Sequence, residues 1–112
     1  RKRLEFIATR DGCDIGIACC AVVRPGTRLT GMVFLKDLFV TAEARSSGAG
    51  EALIAALAAH AHDNGYGRIE FYTDTTNTAA QRFYDRLGAA RLEKVVYRID
   101  GATLADLQRR SR

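Results

Sequence analysis

Residues 31–65, "GMVFLKDLFVTAEARSSGAGEALIAALAAHAHDNG", decide the fold. The first ten residues are apolar apart from Lys36 and Asp37 and read as a largely buried strand. From about Gly48 to Asp63 the apolar spacing becomes helical: Leu53, Leu57 and His60 share one stripe, Ile54, Ala58 and Ala61 a neighbouring one. Asn64-Gly65 ends the run as a left-handed cap position does. Between strand and helix stand Arg45, Ser46, Ser47, Gly48, Ala49 and Gly50, far more turn chemistry than one serine cap requires. A turn at a helix N-terminus gathers unpaired N–H groups at the positive end of the helix dipole. Glycine lets that backbone curl and lets an anion approach closely. The turn therefore suits a pyrophosphate, with Arg45 within reach of it, or a plain serine-capped helix start.

On the N-terminal side, residues 4–9 and 15–23 read as two strands joined by a turn at Asp11-Gly12, and Pro25-Gly26 marks the next turn. With residues 31–40 they predict an antiparallel meander. On the C-terminal side, residues 68–74 read as a strand with Ile69, Phe71 and Thr73 on one face and Arg68, Glu70 and Tyr72 on the other. Thr76 or Asn77 caps a second helix carrying Ala80, Phe83, Tyr84 and Leu87, and Gly88 ends it. "KVVYRI" (residues 94–99) reads as a last strand and "ATLADLQRR" as a tail helix with Leu104 and Leu107 on one side. The predicted order is β-β-β-α-β-α-β-α, an α/β (α+β) mixed sheet in which the strands flanking the first helix run parallel.

The 112 residues make a single domain, 47% hydrophobic and 27% charged. No apolar run approaches the ~20 residues of a membrane helix, so no membrane role is expected. The net charge of +4 comes from the ends: without Arg1, Lys2, Arg3, Arg109, Arg110 and Arg112 the body is slightly acidic, which argues against nucleic acid as a partner. Cys13, Cys19 and Cys20 have no metal-ligand spacing, so no metal is expected; free thiols fit a reducing cytoplasm.

Two phosphate motifs fail on the letters. A P-loop needs Gly-Lys-Ser/Thr, and Gly50 is followed by Glu51-Ala52. A dinucleotide fingerprint needs Gly or Ala where Leu53 stands, and belongs to an all-parallel sheet. Instead, Arg45-Ser46-Ser47-Gly48-Ala49-Gly50 resembles the Arg/Gln-x-x-Gly-x-Gly/Ala signature of the GNAT superfamily of N-acetyltransferases. "LFVTAEAR" before it resembles that family's fourth strand, and "NTAAQRFYDRLGA" its second signature. "LKDLFV" and "VVYRIDGATLADL" resemble the diamine and polyamine branch. Family members begin with a strand and two helices ahead of the segment at Leu4, so the domain reads as incomplete at its N-terminus.

The resemblance implies acetyl-coenzyme A as cosubstrate, transfer to a small-molecule primary amine (a polyamine, diamine or amino-acid-like acceptor) and a homodimer. It implies that Arg45, Ser46, Ser47, Gly48, Ala49, Gly50 and Glu51 hold the pyrophosphate. Leu38, Phe39 and Val40 would splay from their neighbour and pair with the pantetheine arm, and Asn77, Ala80, Phe83 and Tyr84 would line the other side. Tyr84 matches the tyrosine that protonates the departing thiolate. An alkylamine of pKa ~10 must first lose a proton; Asp37, Glu70 or Glu93 is the candidate base, and mid-helix His60 and His62 serve packing or solvent. Lys36 stands where the polyamine branch carries glutamate, and a cation there repels a diamine. Two other readings remain: a catalytically degenerate coenzyme A-binding module, and an acetyltransferase acting on protein or tRNA-linked amines.

Overall fold

The computed structural model describes residues 2–24 and 31–111. Arg1, Arg112 and the turn expected at Pro25-Gly26 lie outside the described residues. Strands β1 (Lys2–Arg10), β2 (Cys13–Val23) and β3 (Met32–Val40) form the antiparallel meander, and β4 (Arg68–Glu70) joins β3 in parallel. The sheet order β1-β2-β3-β4 follows the chain. Asp11 and Gly12 both have positive φ, 54° and 80°, the backbone that a two-residue type I′ hairpin demands, and Arg10 pairs with Cys13 across it.

Helix α1 (Ala49–Asp63) crosses one face of the meander. Ala18 and Cys20 of β2 and Val33 and Leu35 of β3 meet Leu53, Leu57 and Ala61 there, all buried. Leu57 is fully enclosed, a burial that stabilises the fold by about 2 kcal/mol. The helical stripes expected from the spacing hold except at Ala58, which is exposed because it sits one step outside the face that meets the sheet. Asn64-Gly65 ends α1 as expected, with the Tyr66 N–H donating to the Ala61 carbonyl at 2.9 Å. Helix α2 (Thr78–Arg86) closes at Gly88, where the Ala89 N–H donates to the Tyr84 carbonyl at 3.1 Å. Helix α3 (Gly101–Arg109) follows.

Two expectations fail, for one reason. Residues 68–74 form a strand only over Arg68–Glu70, and residues 94–99 form none. Strand-forming side chains make a strand only where a neighbouring edge accepts their N–H and C=O groups. β3 offers that edge to three residues of β4. Among the described residues, residues 94–99 have none.

Candidate functional site

The site begins where β3 and β4 part. Met32, Val33 and Phe34 pair with Arg68, Ile69 and Glu70, and there the pairing stops. β3 runs on to Val40, held on its other side by β2 through Leu38↔Ala18, Phe39↔Ile17 and Val40↔Gly16. The side of residues 35–40 that faces away from β2 therefore has no strand partner among the described residues, and a V-shaped gap opens toward the end of β3. At the mouth of the gap β3 is irregular. Leu35 pairs with Cys20 and Asp37 with Cys19, leaving Lys36 as the extra residue of a bulge. As a result Lys36 and Asp37 are both exposed, breaking the alternation of the strand.

Beyond Val40 the chain makes a 3₁₀ turn (Ala42–Ala44) and then the glycine turn. Ser46 (φ 68°) and Gly48 (φ 90°) are left-handed. Two side chains are spent on the turn itself. The Ser47 hydroxyl donates to the Ala44 carbonyl, and Arg45 Nε donates to the Val40 carbonyl at 3.3 Å, tying the turn to the end of β3. No side chain caps α1: Gly48 occupies the cap position, and the first helical bond is from the Ala52 N–H to the Gly48 carbonyl at 2.9 Å. The N–H groups of Ala49, Gly50 and Glu51 have no acceptor among the described residues. The serine cap that would have made this an ordinary helix start is absent.

The two glycines differ in their surroundings. A Cβ on Gly48 would meet nothing within 4 Å, so the backbone there is open. A Cβ on Gly50 would lie 3.3 Å from the Phe83 ring. The close approach at Gly50 is thus that of α2, whose Phe83 locks the second helix against the N-terminus of α1.

α2 forms the opposite wall. Asn77 Oδ1 accepts from the Ala80 N–H at 3.1 Å, settling the cap on Asn77, and Gln81 Nε2 donates to the Asp74 and Thr75 carbonyls at 3.0 Å each. Those bonds hold the segment leaving β4 against α2. Tyr84 lies over it, its ring centroid 4.3 Å from Phe71 and 5.3 Å from Phe83. Burial pushes the Tyr84 phenol above its ordinary value, so it keeps its proton through the neutral range.

The face of the sheet away from α1 carries the acids. Asp37 is exposed there, opposite Cys19. Glu70, partly buried, accepts from Arg68 Nε at 2.7 Å. Phe34 and Tyr72 stack edge-on at 5.1 Å beside it. On the same face a groove of about 260 Å³ is lined by Ile7, Asp14, Gly16, Ile17, Phe39 and Thr41. Asp14 had no sequence signal; only the bulged register of β1 and β2 brings it there. The same holds for Arg10, which lines a hollow of about 220 Å³ with Ser47, Gly48 and Ala49 and adds a cation beside the turn. Glu93 is exposed in the segment that follows α2. His60 packs edge-on against Phe6 at 5.7 Å, behind α1, and His62 is exposed. No cluster of metal-ligating side chains occurs among the described residues.

This arrangement matches known proteins. The profile described as "Acetyltransferase (GNAT) family" matches residues 2–89. Mycothiol acetyltransferase of Salinispora arenicola is 44% identical over 69 residues, which are 61% of this chain and 22% of that protein. Aminoglycoside N(6')-acetyltransferase type 1 of Salmonella typhimurium is 30% identical over 96 residues, 83% of this chain and 66% of that protein. The chain thus spans about a fifth of the first relative and two thirds of the second. Among solved structures, an integron cassette protein from the mobile metagenome of V. cholerae superposes with a TM-score of 0.85 at 31% identity, over 93% of this chain and 65% of that one. The aminoglycoside N-acetyltransferase AAC(6')-Iy in complex with CoA superposes with a TM-score of 0.77 at 28% identity, over 88% and 75%.

Proposed function

The chain belongs to the acetyltransferase (GNAT) family, and on that premise we propose that it transfers an acetyl group from acetyl-coenzyme A to a primary amine of a small molecule. One observation carries this reading: β3 separates from β4 beside a helix N-terminus that no side chain caps. The cosubstrate supplies the acetyl thioester. The amides of Ser46, Gly48, Ala49, Gly50 and Glu51 hold its pyrophosphate, the Ser47 amide being spent on the Ala44 carbonyl, with Gly48 leaving the backbone open and Arg10 adding positive charge. Arg45 acts mainly on the turn, through its bond to Val40.

The free edge of β3 at Leu38, Phe39 and Val40 pairs with the amide-bearing arm of the cosubstrate and offers an N–H to the thioester carbonyl oxygen. Asn77, Ala80 and Phe83 line the facing wall. Tyr84, kept protonated by burial, delivers the proton to the departing thiolate. Asp37 or Glu70 takes the proton of the incoming amine through water, both lying on the face from which an acceptor reaches the gap.

The aminoglycoside N(6')-acetyltransferase among the relatives puts an aminoglycoside-type amine first among acceptors, ahead of polyamines and amino-acid amines. The working form is a homodimer in a reducing cytoplasm, consistent with free Cys13, Cys19 and Cys20. The test is chromatographic detection of coenzyme A released from acetyl-coenzyme A with a panel of these amines, alongside calorimetric titration of coenzyme A. Release with at least one amine is expected. Coenzyme A binding without turnover on any amine would leave a non-catalytic binding module, a reading that Lys36 and the Glu70–Arg68 pair favour.

A further inference from the structure

The open face of the sheet, away from α1, carries an apolar row that the coenzyme A cradle does not require. Ile7 of β1 pairs with Ile17 of β2, and Ile17 with Phe39 of β3, so the three stand side by side across three strands. Ile7 and Phe39 are nevertheless exposed at 53% and 54%. The row spans two strand spacings, roughly 10 Å. Its Phe39 end stops at the free edge of β3, where the thioester carbonyl is proposed to sit.

Asp14 flanks this row because of a bulge. Ala8 pairs with Gly16 and Thr9 with Asp14, so Ile15 is the extra residue of β2. Without the bulge, alternation would aim Asp14 the same way as Gly16. That way is toward α1, since a Cβ on Gly16 would lie 3.1 Å from Leu53. Instead Ile15 lines the hollow beside the glycine turn, and Asp14 lines the groove of about 260 Å³ with Ile7, Ile17, Phe39 and Thr41. The Thr41 N–H donates to the Ile15 carbonyl at 2.9 Å and pins the bulge to the end of β3. Among the described residues no cation pairs with Asp14.

An apolar floor beside one free carboxylate suits a ring with an apolar face and a cationic substituent. Asp14 lies two rungs along from the row, roughly 10 Å from the free edge of β3 by strand spacing. Lys36 lies on the other side of the row, in the bulge next to Asp37. A dication entering here is repelled at the Lys36 end and drawn to the Asp14 end, which sets its direction.

Resting on the acetyltransferase reading above, we propose that this groove seats the acceptor and that Asp14 determines its specificity. The acceptor is a cyclic amine of the amino-sugar kind, with a second ammonium roughly 10 Å from the amine that is acetylated. Its ring lies on Ile7, Ile17 and Phe39. The second ammonium donates to the Asp14 carboxylate and keeps its proton, and the first amine faces the gap beside Asp37.

Two acceptors test this on the 112-residue chain: neamine, whose two linked rings carry several amines, and methyl 6-amino-6-deoxyglucoside, which has a single amine. Initial rates of coenzyme A release are expected to give neamine a KM about 10-fold below that of the monoamine, the scale of a hydrogen bond between charged groups. Asp14→Asn is expected to remove that advantage by raising the KM of neamine alone, with kcat retained. Asp14 is exposed, so circular dichroism of the variant stays that of the parent. Calorimetric titration of neamine into the coenzyme A-loaded chain reads the same contact without turnover. A parent with no preference for neamine, a variant that handles neamine as the parent does, or a variant that loses both acceptors equally would each overturn the proposal. Turnover of neamine that ignores Asp14→Asn sinks the groove and leaves the acetyltransferase reading standing. Asp14-dependent binding of neamine without coenzyme A release sinks that reading and leaves the groove.

Discussion

α1 and α3 are both helices with two leucines at helical spacing, yet Leu53 and Leu57 are buried while Leu104 and Leu107 are exposed at 56% and 39%. The local signals are of the same kind: a stripe of apolar residues and a stop at each end. The difference lies in what each helix is offered. α1 is delivered by a short turn onto a sheet face already lined by Ala18, Cys20, Val33 and Leu35. α3 arrives at the end of a twelve-residue segment that is exposed throughout and tied back to α2 by the Arg91–Asp85 ion pair. Amphipathicity states that a helix needs a partner surface; connection length and topology state whether that surface is its own.

The comparison is broken most sharply by parallel truncations. Leu57→Ala is expected to lower the unfolding free energy by about 4 kcal/mol at any protein concentration, because it opens a cavity in the enclosed core. Leu107→Ala should leave urea midpoints of the isolated chain nearly unchanged, because α3 buries none of its residues. A loss approaching that of Leu57→Ala would place α3 on its own body.

Tyr84→Phe is expected to reduce kcat about 100-fold with coenzyme A affinity retained, the scale of a lost general acid. Its companion is the pH profile: with the phenol raised by burial, the alkaline limb of kcat lies above the ordinary tyrosine value. A variant as fast as the parent removes Tyr84 from the chemistry and leaves it as packing for Phe71 and Phe83.

A third test concerns the buried side of the sheet. Burial, with Cys19 adding repulsion, pushes the Cys20 thiol from 9.0 to about 11. The folded state therefore keeps a proton that the unfolded chain loses between about pH 9 and 11. Stability from this group is intact below that window and falls as pH rises through it, by about 3 kcal/mol in all. Cys20→Ala should flatten that slope in alkaline urea titrations, and exposed Cys13 should alkylate at neutral pH while Cys20 does not.

The smallest effect separates the two glycines of the turn. Gly48→Ala costs about 1 kcal/mol for the left-handed backbone and weakens coenzyme A binding, although the added methyl meets no protein atom. Gly50→Ala instead presses on Phe83, so its loss should appear in the docking of α2, read as greater hydrogen exchange over residues 78–86.

Much of the site is legible in the letters because its parts are local. The turn at residues 45–50, the cap at Asn77 and the tyrosine at position 84 each depend on near neighbours in sequence. Three features are not local and were invisible or misread. Asp14 and Arg10 reach their grooves only through the bulged pairing of β1 with β2. Gly50 reads as room for an anion, and is room for an aromatic ring thirty-three positions later. Residues 71–74 and 94–99 have the composition of strands, but pairing is a property of two segments and their distance.

By itself, the sequence determined the meander, the crossover helix and the glycine turn between strand and helix, since alternation, helical period and turn chemistry act over a few residues. Only the tertiary structure decided where β3 and β4 part, which of two glycines faces solvent, and that the last apolar segment lies exposed. Those outcomes depend on long-range hydrogen bonding and burial, whose free energy is gained only when distant segments meet.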